Sequence, residues 1–155
     1  MKAVVVLLSV GAGIVAFAGM ATIGAGPAID FKTASIEERQ VWMDSQKKVI
    51  TKAAKWFLPS GRGPSELSFY LKDVVNRADA GEMELMIDVK VPYGAKVQRI
   101  PRTKFLDTFC KSYVDTALYN QGVKLIANFK HQSKKKRIAR IKVTPSDCRW
   151  AEKKA

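Results

Sequence analysis

The clearest pattern in the chain is a nine-residue alternation at Met83–Val91, which reads MELMIDVKV. Every odd position in it is apolar, whereas the even positions hold Glu84, Met86, Asp88 and Lys90. A strict period of two predicts a strand with one buried face and one mostly solvated face. This strand is the starting point for predicting a sheet, and the segments before and after it predict the other strands.

Three further segments alternate in the same way and predict two hairpins. Residues 67–75 precede the reference strand and are joined to it by turn residues at Asn76–Gly81, which predicts an antiparallel pair. Residues 123–129 and 139–143 alternate on either side of the polar turn His131–Lys135, which predicts a second pair. We therefore expect four strands.

Two segments have the spacing of amphipathic helices. Ser35 and Glu38 have the spacing of a capping box, which predicts that the first helix begins there and ends before the loop at residues 59–64. Pro101 is well suited to open the second helix, and Asn120–Gly122 supplies its stop. The chain order is thus helix, two strands, helix, two strands.

The apolar side of the first helix includes Trp42 and Trp56. Such a stripe most often packs into a protein core, and this is what we expect here. The alternative is an aromatic stripe that lies on a membrane surface.

Helices packed on one face of a four-stranded antiparallel sheet are the economical arrangement for this order. The sequence therefore predicts an α+β fold with two layers in the order αββαββ. We expect a leader at residues 1–29, one domain at residues 30–148 and a flexible tail at residues 149–155.

The leader is recognised by its lack of charge, because residues 3–28 contain no ionisable side chain. A helix of 26 such residues rises about 39 Å and can cross the hydrocarbon core of a bilayer, which is about 30 Å thick. Ala16-Phe17-Ala18 matches the small-x-small pattern of a signal peptidase site and favours cleavage instead. Both alternatives export the domain, either anchored in the inner membrane facing the periplasm or released as a periplasmic or secreted protein.

The exported part is strongly basic. The whole chain has a net charge of +13, and Lys2 is the one basic residue before residue 30, so the domain has a net charge of +12. Such a balance favours anionic partners, namely lipid head groups, polyanions or an acidic protein. The alternative is a basic but merely solvated surface.

Cys110 and Cys148 are the two cysteines of the chain. An even pair in an exported protein predicts a disulfide, here between the second helix and the segment after the last strand. The alternative is a reactive thiol, for which His131 is the one histidine available as a base.

The sequence contains no catalytic motif, so we expect neither an enzyme nor a metal or cofactor site. One histidine and two paired cysteines are too few ligands for a metal, and Gly-rich phosphate loops are missing. Glu84 and Asp88 share a strand face but lie about 13 Å apart, too far for paired acid–base work. Salt bridges to lysines on neighbouring strands are their predicted use.

The outward positions of the sheet predict a cationic face that continues into the turn between the last two strands. Its residues are Lys90, Lys124, Lys130, Lys134, Lys135, Lys136, Arg137, Arg140 and Lys142. A polyanion or an anionic lipid surface could bind there, with an affinity that falls as salt rises. The alternative is a solvated face that discourages aggregation.

These features predict a non-enzymatic module of the cell envelope that contacts another protein. The alternative function is binding of an anionic polymer or lipid through the cationic sheet face. If the leader is not cleaved, residues 3–28 also contact the membrane.

Intact mass of the protein isolated from its native membrane or culture medium tests export and pairing together. We expect a mass that begins either at residue 1 or just after the small-x-small site, and that lies about 2 Da below the fully reduced value. A full-length product in the cytosol, with both thiols open to alkylation in the native state, would contradict both predictions.

Overall fold

The computed structural model describes residues 29–57, 67–97 and 101–153. Within these three ranges, no helix is both long enough and apolar enough to cross a membrane. The anchor or signal predicted at residues 3–28 lies outside the described residues.

The described chain is built from three α-helices, four strands and a closing 3₁₀ helix. The helices are α1 (Ile36–Phe57), α2 (Arg102–Tyr113) and α3 (Ala117–Asn120), and the 3₁₀ helix is Pro145–Ala151. The strands are β1 (Ser68–Arg77), β2 (Glu82–Lys90), β3 (Lys124–His131) and β4 (Arg137–Val143). The predicted α+β class is confirmed.

Helix α1 begins with the predicted capping box. The Glu38 N–H donates to the Ser35 hydroxyl at 3.1 Å, and the Ser35 N–H donates to the Glu38 carboxylate at 2.8 Å. These bonds satisfy two backbone donors that the helix itself leaves unpaired. Trp42, Met43 and Ile50 are buried along one side of the helix, so Trp42 belongs to the core rather than to a membrane-surface stripe.

The sheet has the strand order β1-β2-β3-β4 and is mixed. Both predicted hairpins are confirmed, since β1 pairs with β2 and β3 with β4 in antiparallel fashion. The central pair is parallel, with Met83 opposite Leu125 and Ile87 opposite Phe129. The prediction of a purely antiparallel sheet is therefore wrong. Helices α2 and α3 return the chain to the end of the sheet where β2 starts, and such a crossover is what parallel neighbours require.

The second helix is shorter than the sequence predicts, because the chain breaks between α2 and α3. The Thr116 hydroxyl donates to the Tyr113 carbonyl at 2.7 Å and accepts the Tyr119 N–H at 3.1 Å. Thr116 thus caps a new helix instead of continuing the old one. Gly122, with a φ of +73°, then turns the chain into β3.

The core lies between one face of the sheet and helices α1 and α2, which contribute to a single cluster of buried side chains. Aromatic rings join α2 to the sheet. Phe105 stacks on Phe109 with ring centres 5.2 Å apart and meets Phe129 of β3 edge-on at 6.3 Å. Both helices therefore bury their apolar sides against the inward face, and the opposite face of the sheet is left for polar side chains.

The chain is held to the domain from Phe31 onward. Phe31 is 6% exposed and packs edge-on against Trp42 at 5.8 Å. Its N–H donates to the side-chain oxygen of Gln121 at 2.9 Å, three residues before β3 starts. The first described residues therefore lie at the end of the sheet where β2 and β3 begin.

The described chain stays structured past Cys148, after which the sequence predicts a flexible tail. The 3₁₀ helix extends to Ala151, which packs partly buried against the core. The Glu152 carboxylate accepts a hydrogen bond from the Tyr119 hydroxyl. These contacts add residues 149–152 to the folded domain.

The predicted disulfide joins Cys110 of α2 to Cys148 of the 3₁₀ helix, and both residues are fully buried. It links the helix layer to the segment that leaves β4. Because each sulfur is bonded to the other, neither is available as a thiolate nucleophile.

Replacing both cysteines by alanine tests the contribution of this bond to stability. The bridged residues are 38 apart, and on the chain-entropy model the free energy of unfolding should fall by about 4 kcal/mol. Urea denaturation followed by tryptophan fluorescence measures the change. An unchanged unfolding midpoint in the double variant would contradict a stabilising role for the bond.

Candidate anion-binding surface

The outward face of the sheet is defined by the strand registers. Even-numbered residues of β2 and β3 lie on it, so Lys90, Lys124 and Lys130 fall there. Arg140 pairs with Asn128 and Lys142 with Ile126, which puts both cations on the same face. The inward face holds the apolar positions of the core.

A buried carboxylate lies at the centre of this face. Glu84 of β2 is only 5% exposed. Arg77 Nη2 and Arg140 Nε each donate to it at 2.9 Å, and Asn128 Nδ2 donates at 3.0 Å. Two guanidinium groups and an amide therefore compensate the charge that burial would otherwise leave isolated.

A second carboxylate, Glu82, lies beside the first and accepts a hydrogen bond from Lys142. Arg77 Nη1 is also 3.8 Å from a Glu82 oxygen. Because β3 separates β2 from β4, the side chains of Arg140 and Lys142 must reach across about 10 Å to these carboxylates. They pass over β3, which accounts for Ile126 being only 1% exposed on the polar side of the sheet.

Both carboxylates are held in the charged form. Burial raises the pKa of Glu84, but the hydrogen bonds from Arg140, Asn128 and Arg77 together leave it below its ordinary value. The hydrogen bond from Lys142 lowers the pKa of Glu82. Arg140 and Lys142, two members of the predicted cationic face, are therefore neutralised within the sheet.

The unpaired cations gather at the far end of the β3–β4 hairpin. We call Lys130, Lys134, Lys135, Lys136 and Arg137 the hairpin cluster. In the described ranges none of the five forms a salt bridge. Four are exposed and Lys130 is half-buried. Asp88, the register neighbour of Lys130, is the nearest acidic position on the adjacent strand.

The turn that carries the cluster is ordered by His131. Its Nδ1 accepts the Lys134 N–H at 3.2 Å, and its backbone N–H donates to the Lys136 carbonyl at 2.8 Å. Lys135 has a φ of +53°, in the left-handed region. The imidazole thus has a structural task within the turn, and the lysines project from a defined loop.

The remaining members of the predicted face are spread along the sheet. Lys90 is exposed at the same end as the hairpin cluster, since β2 and β3 run parallel. Lys124 lies at the opposite end, close enough to Glu82 for its charge to lower the pKa of that carboxylate. The structure therefore does not group all nine predicted cations into one surface.

The hairpin cluster and the start of the described chain are at opposite ends of the sheet. Phe31 bonds to Gln121 before β3 starts, whereas the cluster follows the end of β3. The eight residues of β3 span about 26 Å. The cluster consequently faces away from the point at which the chain enters the domain.

Across the described ranges, no three His, Cys, Asp or Glu side chains come together as a set that could hold a metal ion. Two groups of polar side chains stand out on the sheet and its last hairpin, the Glu82–Glu84 network and the hairpin cluster. The carboxylates of the first pair with cations of the same sheet, whereas the second is open to solvent.

Comparison with known proteins finds no matching family model, no similar curated protein and no similar solved structure. Function must therefore be inferred from the surface itself.

Replacing Glu84 by Gln tests the network. The variant leaves two arginines without their shared anion, and we expect the free energy of unfolding at pH 7 to fall by about 2 kcal/mol, below the range for fully buried pairs because both arginines are part-exposed. Glu82→Gln is the control, since the Glu82 side chain is 14% exposed against 6% for Glu84, and it should lower stability by less than about 1 kcal/mol.

The Glu84→Gln variant should also change the response of stability to pH. Because the folded pKa of Glu84 is lowered, the unfolded state binds more protons as pH falls below its ordinary value of about 4.3, and the stability from Glu84 is lost through the lowered pKa. Unfolding followed from pH 6 to pH 2 should therefore have a shallower acid slope in Glu84→Gln. An unchanged slope would contradict the ionised network.

Proposed function

We propose that this protein is a non-enzymatic interaction module outside the cytoplasm, and that the hairpin cluster is its contact site for an anionic partner. The observation that carries the proposal is the sorting of charge. Carboxylates of β2 engage the cations in the middle of the sheet, and the cations at the hairpin end keep no acidic partner in the described part of the chain.

An unpaired cationic cluster on an ordered turn is suited to an anionic ligand for two reasons. Its charges have no carboxylate partner in the described ranges, and the ordered turn lowers the entropy lost when they bind a ligand. Four of its five members are lysines, which act as point charges rather than bidentate forks. This chemistry fits a repeated anionic surface better than one deeply bound small anion.

The position of the hairpin cluster at the far end of the sheet helps to distinguish a lipid partner from a protein partner. If residues 3–28 anchor the protein, the chain enters the domain at one end of the sheet and the cluster lies about 26 Å away at the other. The anchoring bilayer is then an unfavourable ligand for the cluster. An acidic protein of the envelope is the favoured partner, and an anionic polymer is the second candidate.

Salt-dependent retention on heparin tests the cluster with a defined probe. The triple variant Lys134→Gln, Lys136→Gln, Arg137→Gln should elute at lower salt than the unaltered protein. The slope of log affinity against log salt should fall by about one for each cation that no longer engages the polymer. Lys135 is left in place because its positive φ would complicate the comparison.

A matched control removes the same charge elsewhere. The triple variant Lys48→Gln, Lys52→Gln, Lys111→Gln changes three exposed helix lysines, none of which forms a salt bridge in the described ranges. If both triple variants elute alike, net charge alone explains retention and the hairpin site is wrong. Vesicles containing phosphatidylglycerol should bind the two triple variants equally if lipid is not the partner.

A further inference from the structure

We propose that the free edge of β4 binds an extended acidic segment of a partner protein as an added strand. This inference deepens the proposed function, on which it rests, because it names the class of partner and the mode of contact. It depends on three observations: an unpaired strand edge, the direction of its backbone groups, and the groove beside it.

Among the four described strands, β4 is the last in the sheet and pairs with β3 alone. An edge strand leaves every second residue with its backbone N–H and C=O pointing away from the sheet. Such an edge offers a ready template for another strand, unless a side chain or a neighbouring segment covers it.

The register shows which residues of β4 present these groups. The Lys124 N–H donates to the Gly81 carbonyl and the Gln132 N–H to the Val89 carbonyl, so even-numbered residues of β3 point towards β2. Odd-numbered residues of β3 therefore bond to β4. Arg140 and Lys142, which pair with even-numbered residues, point their backbone groups away from β3.

An independent contact agrees with this direction. Arg102 Nη2, from the start of α2, donates to the Lys142 carbonyl at 3.3 Å, which requires that carbonyl to face the open side. Arg102 thereby covers one end of the edge. The Arg140 N–H and C=O and the Lys142 N–H have no hydrogen-bond partner in the described part of the chain.

A groove of about 950 Å³ runs along this edge. Its apolar lining comes from Pro101, Ile138, Ala139 and Ile141. Among the described residues, four cations also line it, whereas Asp147 is the one acidic residue and already pairs with Arg102 at 3.2 Å. The lining cations are Arg102, Arg137, Arg140 and Lys142.

The charges decide between two occupants of the edge. Arg102, Arg140 and Lys142 already pair with carboxylates of the domain, so Arg137 is the lining cation that forms no salt bridge in the described ranges, and the hairpin cluster continues from it. A second copy of β4 would bring a second Arg137 and a second hairpin cluster to the same edge, and like charges across neighbouring strands are destabilising. An acidic strand meets complementary charge instead. Alternation along the added strand would put apolar side chains over the apolar lining, and its carboxylates would be drawn to Arg137 and the hairpin cluster.

In this mode the backbone ladder supplies affinity, and the alternating side chains supply specificity. The hairpin cluster begins where the edge ends, because Arg137 belongs to both surfaces. An acidic segment paired along β4 could therefore extend onto the cluster. The edge and the cluster then act as one recognition surface with a backbone part and a purely electrostatic part.

Peptide binding tests the edge directly. The probe is a labelled octapeptide of alternating valine and glutamate, compared with a valine–lysine peptide and with a valine–glutamate peptide in which two central valines are replaced by proline. Fluorescence anisotropy should detect binding of the first alone. The lysine peptide fails through charge, and the proline peptide fails because proline cannot donate to a ladder.

Hydrogen exchange observed by NMR reports the mode of binding in the unaltered protein. Saturation with the valine–glutamate peptide should slow exchange of the Arg140 and Lys142 amides by at least about tenfold, while exposed amides of α1 stay unchanged. Binding without this protection, or equal binding of the proline peptide, would show electrostatic association only and would overturn the proposal. Absence of peptide binding would also overturn it.

Two variants at Ile138 test whether the peptide binds in the groove. Ile138→Glu should weaken binding about tenfold relative to Ile138→Lys, because the two changes are equally polar at a half-buried site and differ in charge. Equal affinities would overturn the location. The two readouts separate the two proposals, since loss of heparin retention in the triple variant concerns the cluster, whereas amide protection in the unaltered protein concerns the edge.

Discussion

The buried carboxylate of Glu84 is the interaction on which the outward face of the sheet depends. Glu84 belongs to β2, and each of the other three strands donates one hydrogen bond to its carboxylate. The donors are Arg77 of β1, Asn128 of β3 and Arg140 of β4. A buried charge is tolerated only with such partners, because removing it from water is unfavourable by several kcal/mol. The sheet is therefore held in register on its outward face by hydrogen bonds to one ion, while the apolar core acts on the other face.

This arrangement also sorts the surface charge of a very basic protein. The carboxylates of Glu82 and Glu84, at two outward positions of β2, attract the cations of β4, whose side chains therefore lie over β3. The cations beyond the reach of Glu82 and Glu84 remain at the hairpin end, where His131 orders the turn. The sheet of this basic protein thus has a neutralised middle and a cationic end. The free backbone edge of β4 extends from one to the other, because Arg137 lies in the hairpin cluster and Arg140 and Lys142 lie in the neutralised middle.

Much of the local structure was predictable because its causes are local. The Ser35–Glu38 capping box, the two hairpins and the position of Pro101 follow from interactions within a few residues. The disulfide was predictable for another reason, since two cysteines allow one pairing. The break at Thr116 was not foreseen, although a threonine before a second apolar run is a recognisable N-cap signal. The salt bridges of Glu84 were expected with lysines, yet its partners are arginines.

By itself the amino-acid sequence determined the α+β class, the helix and hairpin segments, the disulfide and the net charge, because these depend on periodicity, capping and composition. Only the tertiary structure decided that β2 and β3 are parallel, since the path of α2 and α3 between them is a property of packing. It also decided which cations are neutralised and which stay free. Pairing of charges depends on distances between strands far apart in the chain, and alternation within each strand contains no information about those distances.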